Sequence, residues 1–434
     1  MKFEELKFID KISELQFAYS KELVGNSIGK YIFDLNGQSI CKELISKSDQ
    51  YSFQGFFSGV SFFEGSLYIY RDPNGFSKLY VGEEKKGKWI ISRSWLKIAK
   101  KGIKLNDIYA LPSGIIYKHE DKKLKIINKI FTSRGLYKKD EVQYEFNRRL
   151  NQFFSSFFKW LEKNYPSPNT ETCVALSGGL DSSTLLVIGS KYSSINAHTL
   201  ELPKSLDSKI ALKIAKECKC NITTHSVTKK DIYESLKISP LYCEDWRDFN
   251  VHCSALNLLL AKRIKETCKG NTFVITGDLM NEYLCDYQEE IYKGQTYYKL
   301  PKINKKSLQN WLVKGLKTSS REDRVFESQG LITVQPYASF YDIYSNLSRE
   351  ELEMESIKRI CNLTSETQWL DKFISNTKLR AQIGTKESMG ILAIAVDNKF
   401  NDDSFAETIA KYCNEKVDVV KSLIFGGTFR VLQV

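Results

Sequence analysis

One stretch of the sequence has residue types in an order suited to chemistry: Leu176-Ser177-Gly178-Gly179-Leu180-Asp181-Ser182-Ser183. Two adjacent glycines let a backbone turn tightly and approach a ligand. A helix starting just after them turns unpaired N–H groups and the positive end of its dipole toward an anion. Ser177, Ser182 and Ser183 add hydroxyl donors, and Asp181 is a candidate to hold the divalent cation that accompanies a phosphate chain. The chemistry expected is the gripping of a polyphosphate. This is not the loop that ends in Gly-Lys-Ser/Thr, since no lysine follows the glycines.

Such a loop works only if a strand leads into it and a helix leads out. The flanking pattern predicts both, with a strand at Cys173 to Leu176 and a helix from Ser182. The alternation continues with a strand at Ala197 to Leu200, a helix from Asp207 to Cys218 and a strand at Ile222 to Val227. A long helix across Ala255 to Cys268 and a strand at Phe273 to Thr276 complete the series. Short apolar strands separated by helices imply a parallel sheet covered on both faces, with ligands at the carboxyl ends of its strands. Upstream, Val142, Phe146, Leu150, Phe153, Phe154, Phe157, Phe158 and Leu161 recur at three and four residues, the stripe of an amphipathic helix that stops near Asn164, before Pro166 and Pro168.

Before that helix the pattern is strand-like. Phe56 to Phe63, Ser66 to Tyr70, Lys78 to Val81 and Lys88 to Ser92 are separated by breakers, among them the turn Asp72-Pro73-Asn74-Gly75. The fold class expected is therefore α/β: a β-rich domain over residues 1–134, then a parallel-sheet domain over 135–434 whose last third, from Lys299, reads as mainly helical. A chain of 434 residues suits two domains, and 42% apolar content supports two cores.

No apolar run reaches the length of a bilayer crossing, and no secretory segment opens the chain, so a cytoplasmic protein is expected. The ten cysteines are scattered and read as reduced thiols; without a C-x-x-C pair, four histidines leave little for zinc or an iron-sulfur cluster. The net charge of +12 comes from lysines spread along the chain, which reads as a solvated surface rather than a nucleic-acid footprint. Trp246, Phe249 and Tyr337 are expected to pack in the core, with the lining of an acyl pocket as the alternative.

The loop resembles the pyrophosphate loop of enzymes that split ATP into AMP and pyrophosphate, and other segments extend the resemblance to the asparagine synthetase family. Leu202-Pro203-Lys204-Ser205-Leu206-Asp207-Ser208-Lys209 follows the second strand as that family's Leu-Pro-x-Ser-x-Asp-x-Lys does. Thr276-Gly277-Asp278-Leu279-Met280-Asn281-Glu282 follows the fourth like its Ser-Gly-Glu-Gly-Ser-Asp-Glu, and Arg321, Asp323, Arg324, Gly330, Pro336 and Tyr337 repeat its downstream spacing. Arg71-Asp72-Pro73-Asn74-Gly75, Lys78-Leu79-Tyr80 and Ile91-Ser92-Arg93-Ser94 resemble the part of its N-terminal nucleophile (Ntn-type) glutaminase domain that packs on the synthetase domain. That glutaminase uses a cysteine after the initiator methionine; Lys2 stands there instead and the first cysteine is Cys41. The same loss marks the β-lactam synthetase, carbapenam synthetase and lasso-cyclase branches.

The resemblance implies an ATP-dependent ligase, with ATP and Mg2+ as cofactors, that adenylates a carboxylate and passes the acyl group to ammonia or an amine without a glutaminase of its own. It implies nucleotide contacts from Leu176, Ser177, Gly178, Gly179, Asp181, Ser182, Ser183, Leu200, Thr276 and Gly277, and metal contacts from Asp181 and Asn281, the latter a neutral residue where the family has an aspartate. Lys386 resembles the lysine that neutralises charge on the phosphates, and Asp278 stands where asparagine synthetases carry a glutamate, which implies ammonia or a simple amine as nucleophile. The acidic residue expected between Gly330 and Pro336 is missing, so plain aspartate is not the acyl substrate expected. The partners expected are a small or peptide carboxylate and an amine or ammonia donor, in specialised-metabolite or surface-glycan biosynthesis. The reading admits a separate amine-supplying protein and a homo-oligomer, and includes no membrane or nucleic acid. Two alternatives stay open: a tRNA-modifying enzyme with the same loop, and an inactive scaffold.

Overall fold

In the computed structural model the described residues are 2, 5–8, 16–20, 30–34, 45, 53–130, 139–166, 168–202, 206–313, 321–355, 357–374, 390–425 and 428–433. The first strands are β1 (Glu5–Phe8), β2 (Gln16–Ser20), β3 (Lys30–Asp34) and β4 (Phe53–Phe56). They are followed by β5 (Ser58–Phe63), β6 (Ser66–Arg71), β7 (Tyr80–Lys85), β8 (Lys88–Ser92), β9 (Ile108–Ala110), β10 (Ile115–Glu120) and β11 (Lys123–Lys129). They build sheets of order β1-β8-β7-β9, β11-β10-β6-β5 and β3-β2-β4, antiparallel except for the parallel pair β1 and β8. Val60 and Ile69 of the second sheet share a core with Val81 and Ile91 of the first, the inward-facing half of each alternating pattern.

The turn read at Asp72 is fixed by its own carboxylate. It accepts the N–H groups of Asn74 (3.1 Å), Phe76 (3.0 Å) and Ser77 (2.8 Å). Short helix α1 (Trp95–Ala99) follows β8, capped by Ser94.

The apolar stripe forms helix α2 (Lys139–Asn164), and all eight of its residues named above are buried. It packs beside a five-stranded sheet made of β12 (Thr170–Ala175), β13 (Asn196–Glu201), β14 (Ile222–Ser226), β15 (Asn271–Ile275) and a strand at Ile332–Val334, in the order β14-β13-β12-β15-Ile332–Val334, parallel throughout. The connecting helices are α3 (Leu180–Gly189), α4 (Asp207–Glu217), α5 (Lys229–Cys243) and α6 (Asp248–Thr267). Val174, Phe273 and Ile275 face the core that holds α2, while Cys173 and Val274 face α6. Alternate residues are thus buried on opposite faces, as a doubly covered parallel sheet requires.

Two elements differ from the expectation for the chain. The strand at Ile332–Val334 is only three residues long and carries no period of its own, and α5, with Pro240 inside it, is not among the elements expected from the sequence. The long helix begins at Asp248, seven residues before Ala255, because Phe249 and Val251 are also buried on it. The last third is mainly helical, as expected, but its end returns to the N-terminal sheets. The Ala110 N–H donates to the Arg430 carbonyl (2.7 Å) and the Leu432 N–H to the Ala110 carbonyl (2.9 Å), so the tail joins the edge of β9. No helix among the described residues is long and apolar enough to cross a membrane, and their nine cysteines are free.

Candidate active site

Strand order reverses direction between β12 and β15, and there the two chains leave the sheet side by side, Val174 opposite Ile275. Such a switch point opens a crevice at the carboxyl ends of the strands. Leu176 and Ser177 enter it from β12, and Thr276, Gly277 and Asp278 from β15. A cavity of about 250 Å³ lies between them and reaches Leu200, Phe249, Arg321 and Glu322.

The loop is held ready by its own serines. The Ser177 N–H donates to Ser182 Oγ (3.1 Å), the two hydroxyls share a hydrogen bond (3.1 Å), and the Gly179 N–H donates to Ser177 Oγ (3.3 Å). Gly178 has φ +74°, a left-handed conformation, and a Cβ there would lie 2.6 Å from the Asp207 carbonyl of α4. A Cβ on Gly277 would lie 3.0 Å from the Ser182 backbone nitrogen, so these glycines let β15 and α4 close on the start of α3. That start is Leu180, two residues earlier than the sequence suggested, with Gly179 as its cap. The Tyr337 hydroxyl donates to the Asp181 carbonyl (2.9 Å) and steadies the first turn.

At the other end of the cavity Arg321 is buried among acids. It pairs with Asp278 (3.0 Å) and Glu282 (3.1 Å) and donates to the Tyr287 hydroxyl (3.0 Å), while Tyr287 in turn donates to Glu282. Its guanidinium lies 5.2 Å from the centre of the Phe249 ring. Burial and then the neighbouring Asp278 raise the Glu282 carboxyl to about 7, against the pull of Arg321. The same two causes push Glu322 well above the usual carboxylate range. Among the described residues, Asp278 Oδ2 and Arg321 Nη1 are buried without a hydrogen-bond partner.

Most of the expected site residues converge. Leu176, Ser177, Asp181, Ser182, Leu200, Thr276, Gly277, Asp278 and Asn281 line the one cavity. Gly178 and Gly179 shape the loop behind it, and Ser183 is buried one step further along α3 without lining it. Lys386, Pro203, Lys204 and Ser205 lie outside the described residues. Phe249 packs in a buried cluster with Tyr287 and Tyr298, as expected, and also lines the cavity, while Tyr337 lies in the core that holds α2.

The residue that sequence reasoning missed is Lys358, on the helix Ile357–Asn362. Its ammonium donates to Asp181 Oδ2 (2.7 Å), to Asp286 Oδ2 (3.1 Å) and to Asn281 Oδ1. Burial opposes the charge, but Asp181 and Asp286 outweigh it and hold the ammonium protonated. This bears on the metal expected at Asp181 and Asn281. Asp181 Oδ1 is buried with no partner among the described residues, yet its other oxygen and that of Asn281 already serve a cation. Magnesium demands a near-octahedral oxygen set and would stand against the ammonium there. The residues do not fit a resident Mg2+ held by Asp181 and Asn281.

No curated protein matches the sequence. Solved structures similar to it include the NMN synthetase from Francisella tularensis, at 17% identity over 54% of this chain and 97% of that one, with a TM-score of 0.25. The NH3-dependent NAD synthetase from Campylobacter jejuni subsp. jejuni NCTC 11168 is 15% identical over 52% of this chain and 93% of that one, with a TM-score of 0.26. The matching family model, asparagine synthase, spans residues 168–376, from the start of β12 through the loop, the Asp278–Arg321 cluster and Lys358. Over those residues the chain carries an asparagine synthase domain.

Proposed function

We propose that this protein is an ATP-dependent ligase that adenylates a substrate carboxylate and transfers the acyl group to an amine. What carries the reading is one cavity with a phosphate-type loop at one end and a buried acid–guanidinium cluster at the other. A carboxylate is a poor electrophile, so its oxygen first bonds to the α-phosphorus of ATP while the α,β-bridging bond breaks and pyrophosphate leaves. The N–H groups at the start of α3 and the serine hydroxyls meet the charge that collects on the leaving phosphates. The unpartnered Arg321 Nη1 offers a seat for the acid, and Asp278 Oδ2 an acceptor for the incoming amine. The amine then bonds to the acyl carbon, AMP leaves, and the proton shed by nitrogen goes to the Asp278 carboxylate. The amine comes from solution, a second substrate or another protein.

Incubation with ATP, magnesium and a panel of carboxylic acids with ammonium or amines should release AMP and pyrophosphate in equal amounts. Release of ADP and phosphate instead would sink the proposal.

A further inference from the structure

Lys358 belongs to none of the motifs around the loop, and the chain brings it back from 177 residues beyond Asp181. Its side chain is 13% exposed, and its three N–H bonds meet three side-chain oxygens, one each from Asp181, Asn281 and Asp286. Two of these are the positions from which the resemblance draws a divalent ion. The neutral amide of Asn281 leaves two carboxylates for one ammonium, a better balance than three would give.

We propose that Lys358 is the resident cation of the phosphate-binding loop: its ammonium fills the place between Asp181, Asn281 and Asp286 and meets the pyrophosphate end of the nucleotide. The inference rests on the nucleotide-binding reading of the loop. Lysine suits the role as a compact point charge with three donors, and being tethered it arrives without a metal-binding equilibrium. The chain then holds no divalent ion of its own, and any magnesium enters as part of the nucleotide.

The first test uses Mn2+ as probe on the full, nucleotide-free chain, read by electron paramagnetic resonance. Wild type should bind no stoichiometric Mn2+, while Lys358→Met, which frees the three oxygens, should gain about one equivalent. A full Mn2+ site in wild type that disappears in Asp181→Asn overturns the proposal, as does a Lys358→Met protein with native circular dichroism that gains none. If Lys358→Met does not fold, the wild-type arm decides alone. The second test is calorimetry with inorganic pyrophosphate in excess chelator. Wild type should bind, and Lys358→Met should bind roughly tenfold or more weakly, as befits the loss of a charge-assisted hydrogen bond, with Lys358→Arg in between. Wild type that fails to bind without a divalent ion rejects the tethered cation. Failure of the ligase reading looks different: no acid yields AMP, while the Mn2+ and pyrophosphate results stand.

Discussion

Asp278 and Glu282 share one guanidinium, but only Asp278 lines the cavity; Glu282 is fully buried behind it and bound to Tyr287. If Asp278 takes the proton of the amine, Asp278→Ala should leave acid-dependent exchange of labelled pyrophosphate into ATP intact and lower amide formation on the order of a hundredfold or more. Equal loss of both activities would give Asp278 a structural role. Glu282 makes a different prediction. Its carboxyl is raised from 4.5 to about 7 in the folded state, so between those values the native protein binds more protons than the unfolded chain. Stability from this group is therefore present below about 4.5 and is lost as pH rises through about 7. Thermal melts should show Glu282→Gln gaining stability relative to wild type as pH is raised from about 5 to 8. A difference that stays constant with pH would contradict it. The neighbourhood of Asp278 was legible because it follows a strand in a recognisable order; the partners of Glu282 were not, since Arg321 lies 39 residues away.

At the scale of elements, the loop depends on how closely three of them approach. Gly178→Ala would place a Cβ 2.6 Å from a backbone carbonyl at a positive φ, so α4 must move or the loop must unwind. The expected cost is about 1–3 kcal/mol in denaturant unfolding, with a raised KM for ATP. Unchanged stability and KM would show that the glycine is not needed there. The stripe of α2 was readable because a helix buried along one side must repeat its apolar residues at 3.6. The edge strand Ile332–Val334 was not, since three residues cannot display a period and its place is set by pairing with β15.

The N-terminal sheets are tied to the parallel-sheet part of the chain by buried polar contacts. Glu244, which follows α5, accepts the hydroxyl of Ser94 and the N–H of Trp95 (3.1 Å) beside β8, and faces Arg324 (3.6 Å). Arg93 reaches Asp323 (3.0 Å) beside it. Phe429, from the returning tail, packs with its ring centre 5.0 Å from Tyr80 and 5.9 Å from Trp95. Phe429→Ala should cost about 3–5 kcal/mol in chemical denaturation, as emptying a buried aromatic site does. A loss below about 1 kcal/mol would mean that the tail only rests on the N-terminal sheets.

What the sequence by itself determined is local. A glycine turn between an apolar strand and a helix, the apolar stripe of α2 and the order of alternating elements all follow from neighbouring residues, whose periodicity records which face is buried. Only the tertiary structure decided which charges meet. Lys358 finds Asp181 from 177 residues away and Ser94 finds Glu244 across 150, because packing of whole elements brings them together and a buried charge must find its counter-charge wherever the fold supplies one. No spacing along the chain encodes such a pair.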